Sequence, residues 1–108
     1  MLTKVRVEER TIRIAMAAGT ERSVTFPSPI AQVVSFAMAV AVRLETDPYV
    51  LRDRNVFGVT DSTASVWRVD AGAAGTVCTG LRAVGERLVA MLDDGREVAV
   101  DPMTGKLL

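Results

Sequence analysis

The sequence predicts a mainly β fold: a single antiparallel sheet, curled into a barrel or folded into a two-layer sandwich, as one β domain over residues 1–108. Three observations predict it. The β-branched residues Val, Ile and Thr fill 30 of 108 positions, Val alone 17; they lose rotamer freedom in helices and pack well on pleated surfaces. Apolar and polar residues alternate with period two along much of the chain, the mark of half-buried strands. Turn residues interrupt these runs at short intervals, which favours hairpins over crossover connections and leaves room for about eight or nine strands.

The elements follow in order. The first 14 residues are charged and alternating, and Ile12, Ile14 and Met16 stand opposite Thr11, Arg13 and Ala15. Ala18-Gly19-Thr20 then separates this strand from one over 22–26. Residues 30–36 and 38–45 read as two short strands, the second with Met38, Val40, Val42 and Leu44 on one face. The alternative here is an α+β fold with one helix near 29–42. Ser28 and Pro29 suit an N-cap and first turn, and Ile30, Val33, Val34, Ala37, Met38 and Ala41 fall on a helical stripe. Asp61-Ser62-Thr63-Ala64 divides a strand over 55–60 from one over 65–70. Asp93-Asp94-Gly95 divides 87–92 from 96–100, and Asp101-Pro102-Met103-Thr104-Gly105 leads into Lys106, Leu107 and Leu108. In that last turn Asp accepts backbone bonds, Pro sets φ and Gly takes the left-handed position. The longest irregular stretches are 46–53 and 71–75.

Charge and composition exclude several classes. There are 13 basic and 13 acidic residues and no His, and 11 of the 13 cations are Arg. They alternate with acids, as in Arg52-Asp53-Arg54, and form no basic stripe; nucleic acid is therefore not an expected partner, because phosphate neutralisation supplies most of that affinity. Without His there is no imidazole for catalysis or for a zinc site. The most apolar stretch, 29–42, contains Gln32 and Ser35 and is shorter than the roughly 20 residues a membrane-spanning helix needs. No membrane association and no secretory leader are expected, and the cytoplasm is the default location.

Few residues offer chemistry. Asp93, Asp94, Glu97 and Asp101 cluster around one hairpin, where acids ordinarily act as backbone acceptors rather than as an acid–base pair. Cys78 is the single cysteine; with no His to activate it, it reads as a core residue. Ser23, Ser35, Ser62 and Ser65 also lack a base, and no Gly-x-Ser-x-Gly elbow occurs. Glycines 72, 75, 80 and 85 match no phosphate-binding loop. No cofactor, no metal and no enzymatic activity are expected. Phe57, Trp67 and Arg68 are the best surface candidates, because Trp and Arg are favoured at interface hot spots. On antiparallel strands Phe57 and Trp67 can lie on one face as cross-strand neighbours; the alternative is that Trp67 is simply the largest core residue of a chain with five aromatics.

The strings Arg54-Asn55-Val56-Phe57-Gly58-Val59-Thr60 with Ser65-Val66-Trp67, and Asp94-Gly95 through Val100-Asp101 to Thr104-Gly105-Lys106, resemble a group of small uncharacterised bacterial β-rich proteins. The last hairpin is also similar to a blade hairpin of quinoprotein-type propellers. Proteins of this group resemble products of mobile gene cassettes. The resemblance implies a small orphan protein with no assigned catalytic residue. The expectation is a non-enzymatic interaction module, a homodimer or the binder of another protein, with Phe57, Trp67, Arg68, Leu107 and Leu108 at the interface. The competing expectation is a small-molecule binding protein or weak enzyme with a pocket inside the curled sheet.

Overall fold

Two prolines decide where the chain stops building one sheet and starts another. Pro27 and Pro29 have no N–H to give to a ladder, and the segment between them joins the first sheet to the second. The structure, a computed structural model, describes residues 2–16, 19, 21–45, 55–60, 66–68 and 77–108, with the backbone alone at 2–3, 16 and 66–68. Among the described residues there are ten strands and no helix. They are β1 (Leu2–Glu8), β2 (Thr11–Met16), β3 (Glu21–Thr25), β4 (Ile30–Ser35), β5 (Ala39–Leu44), β6 (Val56–Thr60), β7 (Val66–Arg68), β8 (Cys78–Val84), β9 (Arg87–Leu92) and β10 (Glu97–Val100). All pairs are antiparallel between neighbours in the chain. They form three sheets in the orders β1-β2-β3, β4-β5-β6-β7 and β10-β9-β8.

The antiparallel all-β class is therefore the one the sequence predicts, in a sandwich-like arrangement without a closed barrel. The expected single sheet is divided into three, and β1 brings the strands to ten. Residues 29–42 carry two strands and not a helix. The helical stripe there is produced by a bulge. Ile30 pairs with Leu44 and Gln32 with Arg43, so Ala31 is the extra residue. A bulge shifts the phase of alternation by one, which puts Ile30 and Val33 in the same core at a spacing of i, i+3. The predicted turn at 61–64 and the irregular stretches at 46–53 and 71–75 lie outside the described residues.

The four-stranded sheet is used on both faces. Val40, Val42 and Leu44 of β5, with Phe57 and Val59 of β6, pack on Ile12, Ile14 and Phe26 of the N-terminal part. Ala41 and Val56 face the other way, onto Cys78, Leu81, Leu88, Ala90, Leu92 and Val100. Five of the six β5 residues are consequently buried, Arg43 alone being intermediate. Two cores on opposite faces of one strand explain why β5 reads as an almost continuous apolar run. Burying each Val, Leu or Ile contributes roughly 1.5–3 kcal/mol.

Two side-chain amides join the middle sheet to the C-terminal one. The Gln32 amide nitrogen donates to the Leu81 carbonyl (2.8 Å) and its oxygen accepts the Leu81 N–H (2.9 Å). Arg43 Nε donates to the same oxygen at 3.2 Å. Asn55, 3% exposed, donates to the Cys78 carbonyl (2.9 Å) and accepts the Cys78 N–H (3.2 Å). It also donates to the Leu44 carbonyl at 3.3 Å. Each amide stands in for the edge of a strand and satisfies both polar groups of one β8 residue, which burial would otherwise leave costly. The first sheet is tied to the second by a backbone bond from Ile30 N–H to the Glu9 carbonyl (2.6 Å).

Candidate functional site

Three turns meet at one end of the molecule and leave a groove of about 460 Å³ between them. The first joins β4 to β5, closed by Phe36 N–H donating to the Ala39 carbonyl at 2.7 Å. That tight closure pushes Ala37 and Met38 outward. The second joins β8 to β9 through Gly85 and Glu86, with Gly85 at φ +60°, where a side chain is strained. The third is the predicted turn after β10. Gly105 N–H donates to the Asp101 carbonyl (2.8 Å), and Met103 N–H donates to Asp101 Oδ1 (2.8 Å). Gly105, at φ +75°, takes the left-handed position.

The groove is lined mostly by Phe36, Ala37, Met38, Ala83, Pro102 and Met103, and its polar lining is Ser35, Glu86 and Asp101. Met38 is 48% exposed and Met103 39%. Among the described residues no cation lines it. Methionine side chains adapt to irregular apolar partners, and two carboxylates at an apolar surface favour a partner that brings a positive charge with its apolar groups.

Sequence reasoning missed this groove. Its signal is the small turn motifs themselves: Phe-Ala-Met, Gly-Glu and Asp-Pro-Met each place one large or charged residue at a loop tip. Nothing local says that the three tips converge.

Of the residues singled out in the sequence, Ser35, Gly85 and Asp101 line this groove, and Leu107 and Leu108 follow the turn that forms one side of it. Leu107 forms a bridge with Val100, and Leu108 N–H donates to the Ala99 carbonyl at 2.9 Å. They lie along the edge strand β10, 52% and 65% exposed. Phe57 is elsewhere, half-buried against Phe26 with ring centroids 5.3 Å apart. The register pairs Phe57 with Arg68 and Gly58 with Trp67. Directly paired residues share a face and successive residues alternate. The register thus sets Arg68, not Trp67, directly opposite Phe57. The side chains of Trp67 and Arg68 lie outside the described residues, as do Ser62, Ser65, Gly72 and Gly75.

The acids of the last hairpin have separate local tasks. Asp94 accepts the backbone N–H of Arg96 (3.0 Å) and its Nε (2.7 Å). The backbone bond first, and then the side-chain bond, hold its carboxyl below the usual range. Glu97 pairs with Arg82 at 2.9 Å across the sheet. Among the described residues no group of three acids or cysteines stands together as a metal would require. A smaller hollow of about 60 Å³ lies on β1–β3, lined by Lys4, Arg6, Arg13, Ala15 and Glu21. Arg13 there pairs with Glu8 at 3.3 Å and Glu21 at 3.9 Å. These are exposed pairs, which contribute little.

Cys78 is buried in the core. Burial pushes its thiol above the ordinary value, outweighing the smaller lowering effects of the Gly80 backbone and Arg43; the thiol also donates to the Gly80 carbonyl at 3.2 Å, a bond that favours the protonated form. A raised thiol pKa means little thiolate and little nucleophilicity. The native protein is expected to resist iodoacetamide and to become fully alkylated in denaturant. Mass spectrometry reads this directly, and rapid labelling of the folded chain would contradict it.

The chain belongs to the family described as Domain of unknown function (DUF7957), whose model matches residues 2–108. No curated protein and no solved structure matches it. Among the described residues no helix is long and apolar enough to cross a membrane.

Proposed function

We propose that this protein, in a family whose description assigns no activity, is a non-enzymatic interaction module that self-associates through the groove between its three turns. The observation that carries the proposal is the exposure of Met38 and Met103 beside Phe36 in an open apolar groove with an acidic border. Exposed large apolar side chains grouped together mark binding surfaces more than scattered ones do. Leu107 and Leu108 extend the exposed apolar surface at β10. The proposal is of a cytoplasmic homodimer that uses neither cofactor nor nucleic acid. The resemblance of its hairpins to small orphan proteins of cassette type agrees with a module that works by contact alone.

A second reading has one observation in its favour. A groove of about 460 Å³ falls within the size range of small-ligand sites, so a small apolar cation is the competing occupant.

Sedimentation equilibrium over about a hundredfold concentration range tests the proposal, because association follows mass action. The wild-type chain is expected to reach the mass of two chains. Met38→Glu is expected to keep the mass of one, with its strand signal and melting temperature preserved, since Met38 is a turn residue outside both cores. A constant single-chain mass for the wild type rejects self-association and returns the groove to the small-ligand reading.

A further inference from the structure

Resting on that reading, we infer that the groove of each copy receives Leu107 and Leu108 of the second copy, with the second copy's Lys106 against Glu86 and Asp101. The occupant is argued from charge, exposure and position. The groove is apolar, bordered by two carboxylates and, among the described residues, lined by no cation. Lys106, Leu107 and Leu108 supply a cation followed by two large apolar side chains, all three exposed. Lys106 has no ion pair among the described residues. The acidic groove and the basic leucine segment are thus complementary surfaces of the same chain.

Their positions make the contact reciprocal. Asp101, which lines the groove, follows Val100, and Val100 is bridged to Leu107. Groove and leucines are therefore adjacent, and a two-fold axis between them sets each groove over the other copy's leucines. Such an isologous contact closes at two copies and leaves no unmatched surface to propagate a fibre. The segment is also held ready. Asp101 N–H donates to the Lys106 carbonyl and Leu108 N–H to the Ala99 carbonyl, both at 2.9 Å. With its backbone fixed on β10, the segment loses little freedom on binding. Only side chains cross between the copies, and no strand is exchanged.

The test is a complementation experiment by sedimentation equilibrium. Two chains are made, one with Met38→Glu and one with Leu107→Asp and Leu108→Asp. Circular dichroism and melting temperature confirm that each is folded, and Met103→Glu and Leu108→Asp alone serve if either is not. Each chain by itself is expected to dimerise more weakly by on the order of thirtyfold or more, the loss of a hot spot. Mixed in equal amounts they are expected to recover a dimer of intermediate affinity, because the pair retains one intact groove facing one intact leucine segment. Glu86→Lys and Lys106→Glu are each expected to weaken the wild-type dimer and, combined in one chain, to restore it.

Dimerisation of the leucine variant at wild-type strength, with Met38→Glu monomeric, would overturn the inferred occupant while leaving the groove as the interface. Monomeric variants whose mixture also stays monomeric would overturn the reciprocal contact. A wild-type chain that never dimerises would overturn both the inference and the self-association on which it rests.

Discussion

Replacement of Asn55 by Asp is expected to destabilise the protein by about 3–5 kcal/mol at neutral pH, the range for a buried charge without a partner. Asn55 is buried and its amide donates to two carbonyls, those of Leu44 and Cys78, while accepting the Cys78 N–H. An ionised carboxylate keeps the acceptor and loses both donors, so it meets two carbonyl oxygens with a full negative charge. The folded state then favours the protonated acid, and the carboxyl pKa in Asn55→Asp rises above the ordinary unfolded value near 3.9. The unfolded chain ionises first as pH rises, which withdraws stability from the fold. The deficit is therefore smallest below about pH 4 and grows until the folded carboxyl also ionises. Denaturant titrations at pH 4 and pH 7 measure it. Asn55→Ala, which removes the bonds without adding charge, provides the comparison, and its deficit should not follow pH in this way. Equal deficits for the Asp variant at both pH values would contradict the argument.

The second large effect concerns the two cores. Leu88→Ala is expected to cost about 2–5 kcal/mol, as is Ile12→Ala, the range for emptying a well-packed site. Both side chains are fully buried. Leu88, paired with Val100 on β10 and Ala83 on β8, belongs to the C-terminal core. Ile12 belongs to the other one, across the middle sheet. Sites without shared partners add to within about 0.5 kcal/mol. The double variant is therefore expected to lose the sum, a large share of the roughly 5–15 kcal/mol that holds a domain together. Denaturation midpoints of the two single variants and the double variant test this. A strongly non-additive double variant would mean that the cores communicate through β5.

The strands were legible because alternation and turn chemistry are local properties. Arg87–Leu92 occupies its predicted span, and Gly105 takes the conformation that its turn predicts. What escaped is set by neighbours distant in sequence. Ala31 and Thr79 are bulge residues between paired positions; each shifts the alternation and imitates another period. Asn55 and Gln32 look like ordinary polar residues beside apolar runs, and only the packing of β8 gives them backbone partners. Thr60 Oγ1 is buried and has no hydrogen-bond partner among the described residues, which no sequence pattern announces. The groove was illegible for a similar reason, since its lining comes from three turns far apart in the chain. Leu107 and Leu108, by contrast, are apolar residues that follow a turn legible in the sequence.

The order in which strands pair has a kinetic consequence. Each ladder joins strands that follow one another in the chain, and among the described residues no strand of one sheet forms a ladder with a strand of another. Hairpins of this kind close short loops, whose entropy is modest and which form in microseconds. The slow event is then the docking of finished sheets upon one another. Asn55 and Gln32 hold β8 only once that docking is complete, so they act on how long the native state lasts rather than on how fast it is reached. The meander lets this protein find its strands early and fix their arrangement last.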